Sequence, residues 1–327
     1  TRQAEREQLV TALAALQQLG DDLSRWQELQ AEHARLAHAD LAQACVRVLA
    51  NAARAETVRR FGPEPGAFVV LALGKFGGQE MAEGSDLDVM IVYDAPTPSG
   101  EEKLSASEYY TRLTQRLISA LSAPTEEGRL YEVDMQLRPS GSAGPVAVRL
   151  SSFARYYAEE AWTWELQALT RARVVAGDSA LAEKTMAAAR AALTLPRDVA
   201  KLADDVASMR ARMDKERPAK SVWDLKLSPG GVVDIEFIAQ ALLLAQAATG
   251  RDLVRANTAE ALAALKDAGA LAPGDHDALL AGLRLYAYLT QVLRICVDGE
   301  FDPVVASARL KALLASTAGD PPAQRPR

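Results

Sequence analysis

Leu73-Gly74-Lys75-Phe76-Gly77-Gly78-Gln79-Glu80-Met81-Ala82-Glu83-Gly84-Ser85-Asp86-Leu87-Asp88-Val89-Met90-Ile91-Val92 joins the end of one apolar segment to the start of another. Upstream of it, Ala67 to Leu73 is an unbroken apolar run of strand length, and Gly74 closes it. Downstream, Leu87 to Tyr93 reads as a second strand. Residues two apart on a strand share a face, with α-carbons roughly 6.6 Å apart. Asp86 and Asp88 therefore project together, while Leu87, Val89 and Ile91 turn the other way into the core. Two carboxylates held that close repel, and one of them takes up a proton more readily unless a cation joins them. Oxygen-only ligands that leave room for phosphate and water suit Mg²⁺ or Mn²⁺.

Asp-x-Asp alone is more often a solvated strand end than a metal site. The surroundings change that reading. A third strand is expected at Tyr131 to Leu137, where alternation puts Glu132, Asp134, Gln136 and Arg138 on one face and Val133, Met135 and Leu137 on the other. If this strand neighbours the second, Asp134 completes a three-carboxylate cluster able to hold two divalent ions, as in-line phosphoryl displacement requires. Glycines at 74, 77 and 78 are expected to let backbone N–H groups approach phosphate, with Lys75 adding a point charge. Arg138, at the strand's end, is assigned to a phosphate in preference to Asp134. Two other phosphate motifs do not fit. A P-loop ending at Gly74-Lys75 needs glycine at Val69 and a hydroxyl at Phe76, and a dinucleotide fingerprint does not allow Lys75-Phe76 between Gly74 and Gly77.

Around this centre the 327 residues are 49% hydrophobic and 24% charged, which is an ordinary globular composition with length for two domains. The net charge of −6 supplies no basic field for a nucleic-acid backbone, so no nucleic-acid partner is expected. Cys45 and Cys296 lie far apart in apolar, helix-like surroundings and read as buried, reduced thiols of a cytoplasmic protein. His33, His38 and His276 show no zinc-ligand spacing with them. No apolar run approaches the roughly 20 residues that span a bilayer, and no signal peptide opens the chain, so no membrane partner is expected. The first residue is Thr1, which suggests a fragment of a longer polypeptide.

Residues 1–60 read as a helical arm of two or more helices, broken near Gly20-Asp21-Asp22. Gly62-Pro63-Glu64-Pro65-Gly66 ends it. Between the second and third strands, Tyr109, Tyr110, Leu113, Leu117, Ile118 and Leu121 recur at helical spacing behind the candidate caps Ser105 and Ser107. From about Ala158 nearly everything reads as helix, with breaks at Pro196, Pro218, Pro229 and Pro273. The expected class is α+β: the arm, a catalytic α/β core with a mixed sheet over 61–178, a helical domain over 179–318, and a disordered tail over 319–327.

Gly74-Lys75 followed by Asp86-x-Asp88 resembles the nucleotidyltransferase superfamily typified by DNA polymerase beta, with Lys75 where many members have serine. Gly74-Lys75-Phe76-Gly77-Gly78, Gly84-Ser85-Asp86-Leu87-Asp88, Val133-Asp134-Met135-Gln136-Leu137-Arg138-Pro139-Ser140-Gly141 and Gly230-Gly231-Val232-Val233-Asp234-Ile235-Glu236-Phe237 more specifically resemble the glutamine synthetase adenylyltransferase family. The likeness runs from about residue 66 to 240; Gln136 departs from the family, and the last 80 residues match loosely. Members carry one module that removes AMP and one that adds it. Gly84-Ser85-Asp86 and Glu160-Ala161-Trp162-Thr163-Trp164-Glu165 resemble the adding half.

The resemblance implies transfer of AMP from ATP to a tyrosine hydroxyl of glutamine synthetase, releasing pyrophosphate and lowering that enzyme's activity. A nitrogen-signalling regulatory protein is a further implied partner. Asp86, Asp88 and Asp134 would hold Mg²⁺ or Mn²⁺, and Asp134 would take the tyrosine proton. Lys75, Ser85 and the glycine turn would steady the β- and γ-phosphates. Glu165 or Arg173 would lie on the substrate side. Asp234 and Glu236 have two readings, caps of a first helical turn or an edge facing the nucleotide, and both are carried as nucleotide-binding candidates. Removal of AMP by phosphorolysis, the same chemistry on nucleic acid, and a catalytically silent regulatory module are the alternatives.

Overall fold

The computed structural model describes residues 22–96, 104–126, 128–249 and 253–317. Helix α1 (Asp22–Phe61) leads into β1 (Ala67–Ala72), the one-turn helix α2 (Gly74–Gly77), β2 (Leu87–Asp94) and α3 (Ala106–Leu121). A minimal hairpin follows, β3 (Pro124–Thr125) with β4 (Gly128–Arg129), then β5 (Val133–Asp134), β6 (Ala147–Arg149), α4 (Leu150–Glu159), α5 (Thr163–Leu169) and β7 (Arg173–Gly177). The rest is helical: α6 (Ser179–Leu193), α7 (Val199–Glu216), α8 (Val232–Gln246), α9 (Thr258–Asp267), α10 (Pro273–Cys296) and α11 (Ala308–Thr317). This is the expected α+β class. The expected break at Gly20 and the tail over 319–327 lie outside the described residues.

The main sheet is mixed, in the order β5-β2-β1-β7. β1 pairs antiparallel with β2 and with β7. β5 and β6 both run parallel to β2, β5 against residues 87–88 and β6 against 91–93, so they lie end to end along one edge. Phe68, Val70, Leu87, Val89 and Ile91 face α1 and α3, whereas Val69, Leu71, Met90 and Val92 pack on α4, α5 and α6. Burial on both faces is why β1 and β2 read as continuous apolar runs. Asp88 thus belongs to a face that becomes core two residues later, at Met90.

α3 starts where expected, with Ser105 as its cap. The Ser105 hydroxyl accepts from the Glu108 N–H at 3.3 Å, and the Glu108 carboxylate accepts from the Ser105 N–H at 3.0 Å. Tyr109, Tyr110, Leu113, Leu117 and Leu121 form its buried face. Pro273 opens α10, and α6, α7 and α8 end or begin around Pro196, Pro218 and Pro229.

Several expectations change. The third strand is two residues long, not seven, because the chain turns after Asp134. Asp86 precedes β2 rather than lying in it. The chain beyond Ala158 is not all helix, since Arg173–Gly177 forms β7 against β1; five residues flanked by alanine-rich helix show too little alternation to stand out. Neither Cys45 nor Cys296 is in a disulfide, and both are half-buried rather than buried. Among the described residues no helix is long and apolar enough to cross a membrane.

Candidate functional site

β2 and β5 pair in register, Leu87 with Val133 and Asp88 with Asp134. Asp86 is exposed at the mouth of the strand, while Asp88 and Asp134 are half-buried. Burial pushes the Asp88 carboxyl up, and the neighbouring charges of Asp86 and Asp134 push it further, from an ordinary 3.8 to about 6. Lys226 and Arg171 pull the other way. The three aspartates therefore form one electrostatic unit with negative charge left over.

Asp134 Oδ1 accepts from the Gln136 N–H at 2.7 Å, which turns the carboxylate along its own bend. Among the described residues no three carboxylate, imidazole or thiolate groups close around one point as metal ligands. Mutual repulsion works against such closure in the protein alone. The donor set is nonetheless what a hard divalent cation takes: oxygen-only groups, two of them pressing on the third. That is a fit.

The turn after Asp134 also takes Gln136 and Arg138 off the strand face expected for them. Arg138 donates through Nη1 to the Met135 carbonyl at 2.7 Å and through Nη2 to the Gly144 carbonyl at 3.4 Å. Its guanidinium fastens the loop between β5 and β6, and it does not pair with Asp134.

The glycine turn is used differently from the expectation. Gly74 adopts φ +50°, and a Cβ there would stand 2.1 Å from Asp88 Oδ2, so glycine is what lets the backbone pass against this carboxylate. The N–H groups of Gly77 and Gly78 are spent inside the turn, on the carbonyls of Leu73 (2.7 Å) and Gly74 (3.1 Å). A Cβ on Gly77 would meet the Arg171 carbonyl at 2.1 Å, and one on Gly78 would meet Arg171 Nη2 at 2.2 Å. These two glycines make room for Arg171 rather than offering amides to phosphate. Ser85 is buried; its Oγ accepts from the Ala82 N–H at 3.0 Å and from Arg294 Nη1 at 3.3 Å.

Arg171 is the centre of a buried polar cluster. Its Nη2 donates to Glu80 at 2.5 Å, and its Nη1 donates to Glu236 at 2.9 Å and to the Thr258 hydroxyl at 3.3 Å. Glu80 also accepts from the Thr258 N–H at 2.5 Å. Burial lowers the guanidinium pKa, but Glu80 and Glu236 outweigh it and hold Arg171 above its ordinary value. Glu236 also supports Lys75, whose ammonium is pulled down first by burial and then by Lys226, Arg294 and Arg171. Lys226 and Arg171 thus act on Asp88, and Lys75 and Arg294 lie close to that pair of cations.

Glu236 joins this group, whereas its partner candidate does not. Asp234 accepts from the Gly230 N–H at 2.6 Å and from Arg210 Nε, so it ties the chain before α8 to the helix and pairs with α7. Glu165 is likewise engaged internally, by the Trp162 N–H at 2.9 Å and the Tyr156 hydroxyl at 2.8 Å. Arg173 donates to the carbonyls of Gly77 and Phe76, both at 3.1 Å.

Sequence reasoning missed Glu80, Lys226 and Arg294. Glu80 carried a signal, being a lone acid between the buried residues Phe76 and Ala82. Lys226 lies four residues before Gly230-Gly231. Nothing local marks Arg294. A cleft of about 940 Å³ opens on the far side of Glu83 and Gly84, lined also by Trp223, Asp224, Arg294 and Phe301; none of the three aspartates lines it. That is the size range of sites for nucleotide-sized ligands.

A family profile described as glutamate-ammonia ligase adenylyltransferase matches residues 3–188. A second, described as GlnD PII-uridylyltransferase, matches residues 200–322. Curated relatives named bifunctional glutamine synthetase adenylyltransferase/adenylyl-removing enzyme include one from Caulobacter vibrioides, 51% identical over 287 residues (86% of this chain, 29% of the relative). Others come from Rhizobium meliloti, 47% identical over 290 residues (86% and 29%), and Xanthobacter autotrophicus, 45% identical over 300 residues (90% and 30%). The chain spans just under a third of the length of the curated relatives it matches.

Proposed function

The chain belongs to the glutamate-ammonia ligase adenylyltransferase family, and from that premise we propose that it transfers AMP from ATP to a tyrosine hydroxyl of glutamine synthetase, releasing pyrophosphate. The observation that carries this reading is the in-register pairing of Asp88 with Asp134, with Asp86 close enough to push the Asp88 carboxyl up and Lys226 and Arg171 close enough to oppose it. Surplus carboxylate and surplus ammonium at one place match a site for a metal–polyphosphate complex. Mg²⁺ or Mn²⁺, held by the three aspartates, would supply charge stabilisation for the attacking and leaving oxygens. Lys75, Lys226 and Arg294 hold the polyphosphate. Ser85 acts through Arg294 rather than alone.

The tyrosine oxygen attacks the α-phosphorus, the bond to the β-phosphate oxygen breaks, and pyrophosphate leaves. A phenol with a pKa near 10 gives up its proton slowly at neutral pH, and Asp134 accepts it. Glu236 serves through Lys75, and Asp234 holds the entry to α8 through Gly230 and Arg210. The division at residues 60, 178 and 318 stays part of this proposal, supported by the second profile match, which begins at residue 200. So do a cytoplasmic location and control by a nitrogen-signalling protein.

The test is to incubate the full chain with ATP, Mg²⁺ and unmodified glutamine synthetase, and to weigh the acceptor before and after. A gain of one AMP per modified subunit is expected. Adenylylated glutamine synthetase supplied with phosphate should keep its AMP. If only that second reaction is seen, the chain is the removing module, and the reading of Gly84 and Glu160 to Glu165 is wrong.

A further inference from the structure

Lys75 lines a cavity of about 30 Å³ closed by α8 and α10. Its walls are apolar at Ala82, Val232, Leu283 and Ala287, and polar at Glu80, Glu236, Thr290 and Gln291. Glu80 and Glu236 are already held by Arg171 and Thr258. Gln291 is different. It is 6% exposed, and neither its carboxamide oxygen nor its nitrogen has a hydrogen-bond partner among the described residues. A buried carboxamide without a partner is disfavoured against an apolar side chain of the same shape. The ammonium of Lys75, a three-proton donor with no acceptor capacity, is the complementary group lining the same small space.

The charges around the cavity balance, Lys75 and Arg171 against Glu80 and Glu236, so no further ion is called for. The volume suits about one water molecule, and the polar partners number enough to bind it.

We propose that Gln291 is a positioning residue for Lys75: its carboxamide oxygen, through one water in this cavity, accepts from the ammonium and fixes it beside Glu236. α10 thereby reaches the phosphate-binding group of the site from more than 200 residues away in sequence. The catalytic part of this inference rests on the reading that Lys75 serves the nucleotide; the placement of Lys75 does not.

Gln291→Met keeps the volume and removes both polar atoms, and Gln291→Glu keeps an acceptor oxygen. In the full chain with ATP, Mg²⁺ and glutamine synthetase, Gln291→Met should lower kcat at least tenfold. KM for glutamine synthetase should stay within twofold, and the urea midpoint should be no lower than that of the parent chain. Gln291→Glu should recover most of the rate. In parallel, reductive methylation of the metal-free chain, read residue by residue by mass spectrometry, should modify Lys75 several-fold faster in Gln291→Met, with exposed Lys201 unchanged. An unchanged Lys75 rate overturns the proposal whatever the transfer assay gives. A faster Lys75 rate with kcat within twofold of the parent overturns the catalytic positioning. Absence of transfer in the parent chain sinks the functional reading instead, and the methylation rates still decide whether Gln291 holds Lys75.

Discussion

Replacing Asp88 with asparagine in metal-free protein separates the electrostatic account of the site from a merely structural one. In the folded chain the Asp88 carboxyl titrates at about 6, against an ordinary 3.8, through burial and then through Asp86 and Asp134. The folded state therefore binds this proton more tightly than the unfolded state. Below about pH 4 the group is protonated in both states and costs nothing. As pH climbs through 4 to 6 and beyond, the folded protein must ionise a carboxyl that resists it, and stability falls. The full shift corresponds to about 3 kcal/mol, and water at the open side of the site trims it to roughly 1–3 kcal/mol. Asparagine cannot ionise, so Asp88→Asn escapes this loss. Urea titrations of both proteins in chelator, from pH 4 to 8, should show the variant gaining on the parent by that amount as pH rises. Added Mg²⁺ at pH 8 should raise the parent midpoint and leave the variant nearly unmoved. AMP transfer should drop about a thousandfold, on the order of 4 kcal/mol of transition-state stabilisation. A stability difference that does not vary with pH, or equal stabilisation of both proteins by Mg²⁺, would refute the reasoning.

Asp134→Asn should lose transfer activity that rising pH partly restores, as hydroxide and ionised tyrosine replace the missing base; a flat pH profile in the variant would leave Asp134 no role as proton acceptor. Gly78→Ala should lower the unfolding free energy, read from urea titration, by about 1–3 kcal/mol, because the new methyl meets Arg171 Nη2 at 2.2 Å and the Ala256 carbonyl at 2.9 Å. Ser105→Ala removes the α3 capping box and should cost about 1 kcal/mol in the same assay, with AMP transfer unaffected because α3 packs on the sheet face away from Asp88.

The parts of the site written within a few residues were legible. Ala67 to Leu73 and Leu87 to Tyr93 announce buried strands by apolar content, and spacing picks out Asp86 and Asp88, although Asp86 lies just before the strand and only Asp88 is in it. Asp134 was found by the same rule, and the pairing of Asp88 with Asp134 bears out its place beside the second strand. Its strand was overextended because Tyr131 to Leu137 alternates well beyond the point where the Asp134 carboxylate captures the Gln136 N–H and bends the chain. Alternation reports which faces differ, not where the ladder stops. The glycines were noticed for a plausible reason and needed for another, since nothing local says that Arg171 will lie against Gly77 and Gly78. Glu80, Arg171 and Glu236 are separated by 91 and 65 residues. Such a cluster exists only once the sheet and helices are assembled. Lys226 and Arg294 were invisible for the same reason: a cation's role is set by what lies across the cleft from it.

Arg171 has a mechanical consequence. One guanidinium, 4% exposed, grips the chain after α2 through Glu80, helix α8 through Glu236, and the start of α9 through Thr258. Swinging those helices away from the sheet would break all three contacts where no water stands ready to replace them, and would strand charge in a dry interior. The sheet, α8 and the start of α9 therefore behave as one rigid body, and this joint is no hinge. The 217–231 stretch lies outside that grip: it connects α7 to α8, leaves Val222 82% exposed, and brings Lys226 close enough to act on Asp88. Lys226 therefore reaches Asp88 from a connection that the Arg171 joint does not hold.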